Sequence, residues 1–144
     1  MKFLDIFKKN VVEKGDKVAI VDGNLLNKTT YFEVERLSNK IANKLLKKGI
    51  KNGEKVIINL DRNAYFFIAE LGVLKINSAF IPVMSTYPKD RIEYIKNDSN
   101  AKYIITKDFF NDIEDFDDIF NSNISDDGLA TILYTSGSTG KPKG

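Results

Sequence analysis

Cysteine is absent from this chain, so disulfides and thiolate metal sites are excluded. Histidine is absent too, which removes Ser-His-Asp catalysis, imidazole metal ligands and the usual near-neutral proton shuttle. No apolar run reaches the roughly 18 residues that a membrane-spanning helix needs. The opening segment, Met1 to Lys9, is interrupted by Asp5 and the Lys8-Lys9 pair, and so lacks the apolar stretch of a secretion signal. The cytosol is therefore the expected location, with no membrane partner. Arginine is scarce: 19 of the 22 cations are lysine, and only Arg36, Arg62 and Arg91 are arginine. The formal net charge of +2 argues for no nucleic-acid partner. The abundance of Lys, Asn and Ile reads as coding bias more than as a binding surface.

What is present is enough for one globular core: 144 residues, 42% of them hydrophobic. Residues 17–22 read as a strand, Gly23-Asn24 as a turn, and 27–30 as a short second strand. Thr30 followed by Glu33 forms a capping box. Val34, Leu37, Ile41 and Leu45 then recur at helical spacing, with Lys44, Lys47 and Lys48 at the negative end of the dipole and Gly49 as the left-handed cap. Lys55–Leu60 is a second core strand. The stretch from Asn63 to Ile76 is a helix that is apolar nearly all round, with the Tyr65-Phe66-Phe67 cluster read as core. A short strand broken by Pro82 is expected at 79–83, and Pro88 is placed as the first residue of a further helix that turns Ile92 and Ile95 inward. A fourth buried strand is expected at 101–106. Residues 108–127 carry eight acids (Asp108, Asp112, Glu114, Asp115, Asp117, Asp118, Asp126 and Asp127) and no Lys or Arg, which reads as a solvated connecting segment. Leu129–Tyr134 is expected to be a strand that runs into the final ten residues. Alternating strands and helices predict an α/β fold, a mostly parallel sheet flanked by helices.

The last ten residues carry the chemistry. Thr135-Ser136-Gly137-Ser138-Thr139-Gly140-Lys141-Pro142-Lys143-Gly144 combines hydroxyls, glycines and two lysines. Glycines let a backbone approach a polyanion closely, hydroxyls and N–H groups donate to phosphate oxygens, and lysines supply positive charge. Spacing excludes the Walker A loop, because Gly140-Lys141 is followed by Pro142 and not by Ser or Thr. Composition alone favours a flexible linker or tail.

The full string from Leu133 to Gly144 resembles the signature loop of the adenylate-forming superfamily: acyl-CoA synthetases, luciferases and amino-acid adenylation domains. Leu74 to Val83 resembles that family's second core motif. Thr30-Tyr31-Phe32-Glu33-Val34 with Leu37 to Ala42 resembles its first. Tyr87-Pro88-Lys89-Asp90-Arg91-Ile92 through Ser99 is similar to the adenylation domains of nonribosomal peptide synthetases and to D-alanine:carrier-protein ligases, which favours an amino acid over a fatty acid. Two departures are visible. Ile76-Asn77 stands where the family usually shows Ala-Gly, and Asn suits a left-handed cap. Val83-Met84 stands where many relatives carry an aspartate. Tyr87 and Arg91 are read as architectural, Arg91 paired with a local acid.

The resemblance implies that residues 1–144 are the incomplete N-terminal part of an AMP-binding adenylation domain, with the phosphate-binding loop at 134–144. It implies ATP and Mg²⁺ as reactants of the complete enzyme, a small carboxylate substrate, and phosphopantetheine on a carrier protein as acceptor. Thr135, Ser136, Ser138, Thr139 and Lys143 are expected to contact phosphate, Lys141 less directly, while Gly137 and Gly140 permit the turns. No catalytic or metal-ligating residue is expected here. In relatives the substrate-pocket aspartate, the magnesium-binding acid, the ribose-gripping aspartate and the catalytic lysine follow this loop. Two or three charge-assisted bonds to phosphate give about 3–9 kcal/mol, whereas ordering ten loop residues costs about 1–2 kcal/mol each. The 144-residue chain is therefore expected to bind no ATP measurably and to be inactive alone, with an exposed sheet edge that favours aggregation. An acyl-CoA ligase of the same superfamily, and a truncated non-catalytic module, are the alternative readings.

Overall fold

The computed structural model describes residues 2–23, 27–121, 128–136 and 142–144. Among the described residues there are four α-helices: α1 (Lys2–Lys14), α2 (Tyr31–Lys47), α3 (Ala64–Lys75) and α4 (Lys89–Ser99). The strands are β1 (Val18–Val21), β2 (Lys28–Thr30), β3 (Lys55–Leu60), β4 (Ala79–Met84), β5 (Tyr103–Ile105), β6 (Thr135–Ser136) and β7 (Pro142–Lys143). The central sheet is parallel in the order β4-β3-β5.

Strand alternation sends side chains to two faces. Val56, Ile58 and Leu60 of β3, with Ile105 of β5, join Ile41, Leu45, Ile68 and Val73 of α2 and α3. Ile57 of β3, with Ile81 and Val83 of β4, meets Ile95 of α4 on the other face. The sheet thus lies between an α2/α3 layer and α4, in agreement with the expected fold class. Helix α3 has buried residues over most of its circumference, as its all-round apolar pattern predicts. Within the aromatic cluster, however, only Phe66 is buried. Tyr65 and Phe67 stay about half exposed, because consecutive helical residues face different ways. Tyr65 rests on Phe110 at 5.0 Å between ring centroids.

Local signals account for the helix ends. Thr30 Oγ1 accepts from the Glu33 N–H at 3.2 Å, while Glu33 Oε2 accepts from the Thr30 N–H at 2.7 Å, so the capping box is complete. At the far end of α2 the Gly49 N–H reaches the Leu46 carbonyl and the Ile50 N–H reaches that of Leu45, with Gly49 at φ +89°. The same pair of bonds closes α3 at Asn77 (φ 56°) and α4 at Asn100 (φ 57°). Asparagine therefore does here what glycine does after α2, as its tolerance of the left-handed region allows. Asn63 caps the start of α3 by accepting from the Tyr65 N–H at 3.0 Å.

Several expectations are corrected. The strand at 17–22 and the short second strand at 27–30 are present, but as an antiparallel hairpin, β1 with β2, outside the parallel sheet; Ala19 and Ile20 pack on the core while Val18 and Val21 are exposed. Pro82 does not break β4, which runs on to Met84. The Ala79 N–H bonds the Glu54 carbonyl beside β3, while that of Phe80 bonds Ala130 on the opposite side. By alternation the missing donor of Pro82 faces away from β3, toward the 130–132 side, so the β3 ladder loses no bond. Pro88 is the cap of α4 and not its first residue. Arg91 stacks over the Tyr87 ring at 4.2 Å and makes no ion pair among the described residues. The expected strand at 129–134 is reduced to a single parallel bridge, Thr131 with Phe80. Helix α1 adds to the expected elements, with Leu4, Phe7 and Val11 lining its inner face.

Residues 108–119 of the acidic segment are docked, not merely solvated. Phe109 and Ile113 are buried in the core while the carboxylates remain outside. Two 3-10 turns, Lys107–Phe110 and Ile113–Asp115, leave many backbone carbonyls without helical partners. Side chains of α2 satisfy them. Lys40 donates to the carbonyls of Glu114 (3.1 Å) and Phe116 (2.8 Å). Asn39 donates to that of Asp118 at 2.8 Å, and Asn43 to those of Asp117 and Ile119. Buried Lys44 donates to the Phe109 carbonyl at 2.5 Å and to Asp112. Residues 39, 40, 43 and 44 form one helical stripe. Among the described residues, no helix is long and apolar enough to cross a membrane.

Candidate functional site: the terminal hairpin

The loop expected from sequence rises from an antiparallel hairpin. Thr135 lies opposite Lys143, and Ser136 opposite Pro142. Directly opposed residues of an antiparallel pair project to the same face. The Thr135 hydroxyl and the Lys143 ammonium, both exposed, therefore stand together at the foot of the loop. One hydrogen-bond donor and one cation side by side suit a phosphate oxygen. Gly137, Ser138, Thr139, Gly140 and Lys141 lie outside the described residues.

The hairpin is joined to the body through its lead-in. The Phe80 N–H donates to the Ala130 carbonyl, and the Ile132 N–H donates to that of Phe80. Tyr134 packs against the α4-side cluster and donates from its hydroxyl to Asp98 Oδ2 at 2.7 Å. Burial, reinforced by the Asp98 carboxylate, pushes the Tyr134 phenol up to about 12. It is a proton donor at all ordinary pH values. Among the described residues, no group of three or more His, Cys, Asp or Glu side chains could hold a metal.

The two upstream motif segments meet each other. Lys75, from the second, donates to Glu35 Oε2 (2.6 Å), Ser38 Oγ (2.8 Å) and Asn39 Oδ1 (2.7 Å) beside the first. Its ammonium is buried and fully partnered; desolvation lowers its pKa, and Glu35 opposes that shift. Gly72, one turn before Lys75, lies against Ile41. These segments are two sides of one helix–helix contact, so their role here is architectural.

A second opening has no counterpart among the sequence motifs. At the carboxyl ends of β3 and β5 a cleft of about 540 Å³ is lined by Asn59, Asp61, Asn63, Ser85, Lys107 and Asn111. Ser85 donates to Asp61 across it. β3 is central, and its successors β4 and β5 lie on opposite sides of it. That reversal is where open α/β sheets leave a crevice. The available signal was the run of polar residues directly after each strand.

Comparison with known proteins agrees with this geometry. A family model described as AMP-binding enzyme matches residues 7–123. Tyrocidine synthase 3 of Brevibacillus parabrevis is 33% identical over 158 residues, covering 99% of this chain and 2% of that protein. The N-terminal subdomain of Klebsiella oxytoca NpsA, solved with 3-hydroxyanthranilyl-AMSN, superposes with a TM-score of 0.82 at 31% identity, over 96% of this chain and 38% of that one. The anthranilate CoA ligase AuaEII, solved with anthranoyl-AMP, shares the fold with a TM-score of 0.85 at 22% identity, over 96% of this chain and 32% of that one. The chain spans well under half the length of these proteins. With the family match covering most of its length, and with a parallel sheet, paired motif segments and a Ser/Thr/Gly/Lys hairpin in place, the chain belongs to the adenylate-forming, AMP-binding enzyme family.

Proposed function

We propose that this chain supplies the phosphate-binding loop of an enzyme that activates an amino-acid carboxylate with Mg·ATP. In the first half-reaction the carboxylate attacks the α-phosphorus, the α–β bridging bond breaks, and aminoacyl-AMP and pyrophosphate result. In the second, the phosphopantetheine thiol of a carrier protein takes the acyl group and AMP leaves. Thr135, Ser136, Ser138, Thr139 and Lys143 hold the β- and γ-phosphates, with Lys141 nearby and Gly137 and Gly140 permitting the turns. They spread the charge of the leaving pyrophosphate, which is electrostatic stabilisation by donors placed in advance.

The observation that carries this reading is the shared register of Thr135 and Lys143 at the foot of a hairpin whose sequence is Thr-Ser-Gly-Ser-Thr-Gly-Lys-Pro-Lys-Gly. The amino-acid preference draws on the Tyr87–Ser99 segment and on the similarity to tyrocidine synthase 3. The test is exchange of radiolabelled pyrophosphate into ATP, measured on the full-length protein that carries this chain. Lys143→Met and Thr135→Ala are each expected to cut exchange by about 10²-fold, the scale of losing one such donor. Unchanged exchange in both would refute the clamp.

A second reading, an acyl-CoA ligase acting on an aryl or fatty acid, draws on the fold shared with an anthranilate CoA ligase. Exchange driven by anthranilate or a fatty acid, and not by any amino acid, would establish it instead. The 144 residues alone are expected to give no saturable ATP titration, because the loop's ordering cost offsets its few bonds.

A further inference from the structure

Asp98 occupies the last turn of α4, where a carboxylate faces the negative end of the helix dipole. Its position is unfavourable unless something compensates, and the Tyr134 hydroxyl does so at 2.7 Å. The ring of Tyr134 makes two further contacts. It packs with the cluster that contains Ile57, Ile81, Val83 and Ile95. Against it also lies the backbone of Gly144, the residue that follows β7. A Cβ at Gly144 would sit 2.7 Å from the ring Cζ and 3.0 Å from Ile132 Cγ2, so only glycine permits this approach. One side chain therefore touches the sheet core, α4 and the returning end of the hairpin.

Among its described residues the hairpin has two residue pairs, Thr135 with Lys143 and Ser136 with Pro142. So short a ribbon has no stability of its own in water. Its orientation must come from what it is attached to. Tyr134 directly precedes Thr135, so fixing Tyr134 fixes the face on which Thr135 and Lys143 project.

We infer that the Tyr134–Asp98 hydrogen bond is a latch that orients the phosphate-binding hairpin against α4, which makes Tyr134 and Asp98 positioning residues for the leaving pyrophosphate. This rests on the clamp reading above. The phenol stays protonated because burial and Asp98 both raise its pKa, so the latch remains closed across the working pH range. Freed of it, the donors lose their preset geometry and part of their effect on the reaction.

The test uses Tyr134→Phe, Asp98→Ala, their combination, and Asp98→Asn in the full-length protein. Tyr134→Phe and Asp98→Ala are each expected to weaken pyrophosphate exchange about tenfold through KM for ATP and kcat, the scale of one charge-assisted hydrogen bond. KM for the carboxylate should not move. The double variant should be no worse than either single one, and Asp98→Asn, which keeps an acceptor, should recover much of the loss. In the same full-length protein, hydrogen exchange at residues 135–136 and 143–144 should quicken in Tyr134→Phe while exchange of the β3 and α3 amides holds. Additive losses, a change confined to carboxylate KM, or unchanged hairpin exchange would each overturn the latch. If Tyr134→Phe loosens the hairpin but Lys143→Met and Thr135→Ala both leave pyrophosphate exchange intact, the clamp fails, and the hydrogen bond orders the hairpin without positioning pyrophosphate. If Lys143→Met abolishes exchange while Tyr134→Phe changes nothing, the clamp stands and the latch fails.

Discussion

Gly72→Ala sets helix propensity directly against packing. In an isolated helix the substitution is worth about 1 kcal/mol in favour of alanine. Here the added Cβ would lie 2.5 Å from Ile41 Cγ2, 2.7 Å from Ile41 Cβ and 3.2 Å from the Ser38 carbonyl oxygen. Carbon atoms prefer roughly 3.5–4.0 Å, so Ile41 or the whole of α2 must retreat by about 1 Å. Ile41 is fully buried, and a β-branched side chain in a helix has essentially one rotamer. Retreat of α2 would also stretch the three bonds that Lys75 makes to it. Overpacking of this kind costs about 1–3 kcal/mol and occasionally more. After the propensity gain the net loss should be about 0–2 kcal/mol. Urea unfolding followed by circular dichroism measures it as a lower midpoint with unchanged slope. Ile41→Ala alone should cost about 2–5 kcal/mol through its cavity. Combined with Gly72→Ala it should cost less than the sum by about 1 kcal/mol or more, because the two sites compete for one space. A stabilising Gly72→Ala, or strict additivity with Ile41→Ala, would refute the close-contact account of α2 and α3.

Three more outcomes follow from single contacts. Thr30→Ala removes the capping box of α2 and should lower stability by about 1 kcal/mol in the same urea assay, with Thr30→Ser close to wild type. Lys44→Met leaves the Phe109 carbonyl without its ammonium partner, at a cost of about 1–3 kcal/mol, and should speed protease cleavage within 107–119 ahead of any other segment. Glu70 is half-buried and desolvation raises its pKa to about 7. Between pH 4.5 and 7 the folded state holds the extra proton, so this group's contribution falls as pH rises through that window. After discounting for solvent screening, Glu70→Gln should be about 1–2 kcal/mol more stable than wild type at pH 8, and the gain should vanish near pH 4.5. A gain of equal size at both pH values would exclude the titration of Glu70 as its source.

What could be read from the sequence was whatever neighbouring residues decide among themselves. The capping box at Thr30 and Glu33 needs only residues three apart, and it formed as written. The left-handed cap at Gly49 and its asparagine substitute at Asn77 are likewise local matters of φ. The all-round apolar pattern of α3 announced a helix buried on several sides, because burial removes the need for a polar stripe. The foot of the loop is legible for the same reason: its chemistry lies in ten consecutive residues, and β6 and β7 bring their ends together.

Contacts between distant residues were settled only by the tertiary structure. Whether 17–22 joined the main sheet depended on which edge was open to it, and β1 pairs with β2 alone. Pro82 looked like a strand breaker until the side on which its absent N–H falls was known. The acids of 108–119 looked like a solvated connector because the stripe of Asn39, Lys40, Asn43 and Lys44 that receives them lies some seventy residues earlier. Asp98 and Tyr134 are 36 positions apart, and neither residue type signals the other. Local patterns report propensity, which a few neighbouring residues determine. Pairings of this range are fixed by packing the whole chain at once, where a buried carbonyl or carboxylate must find its partner wherever the fold has placed one.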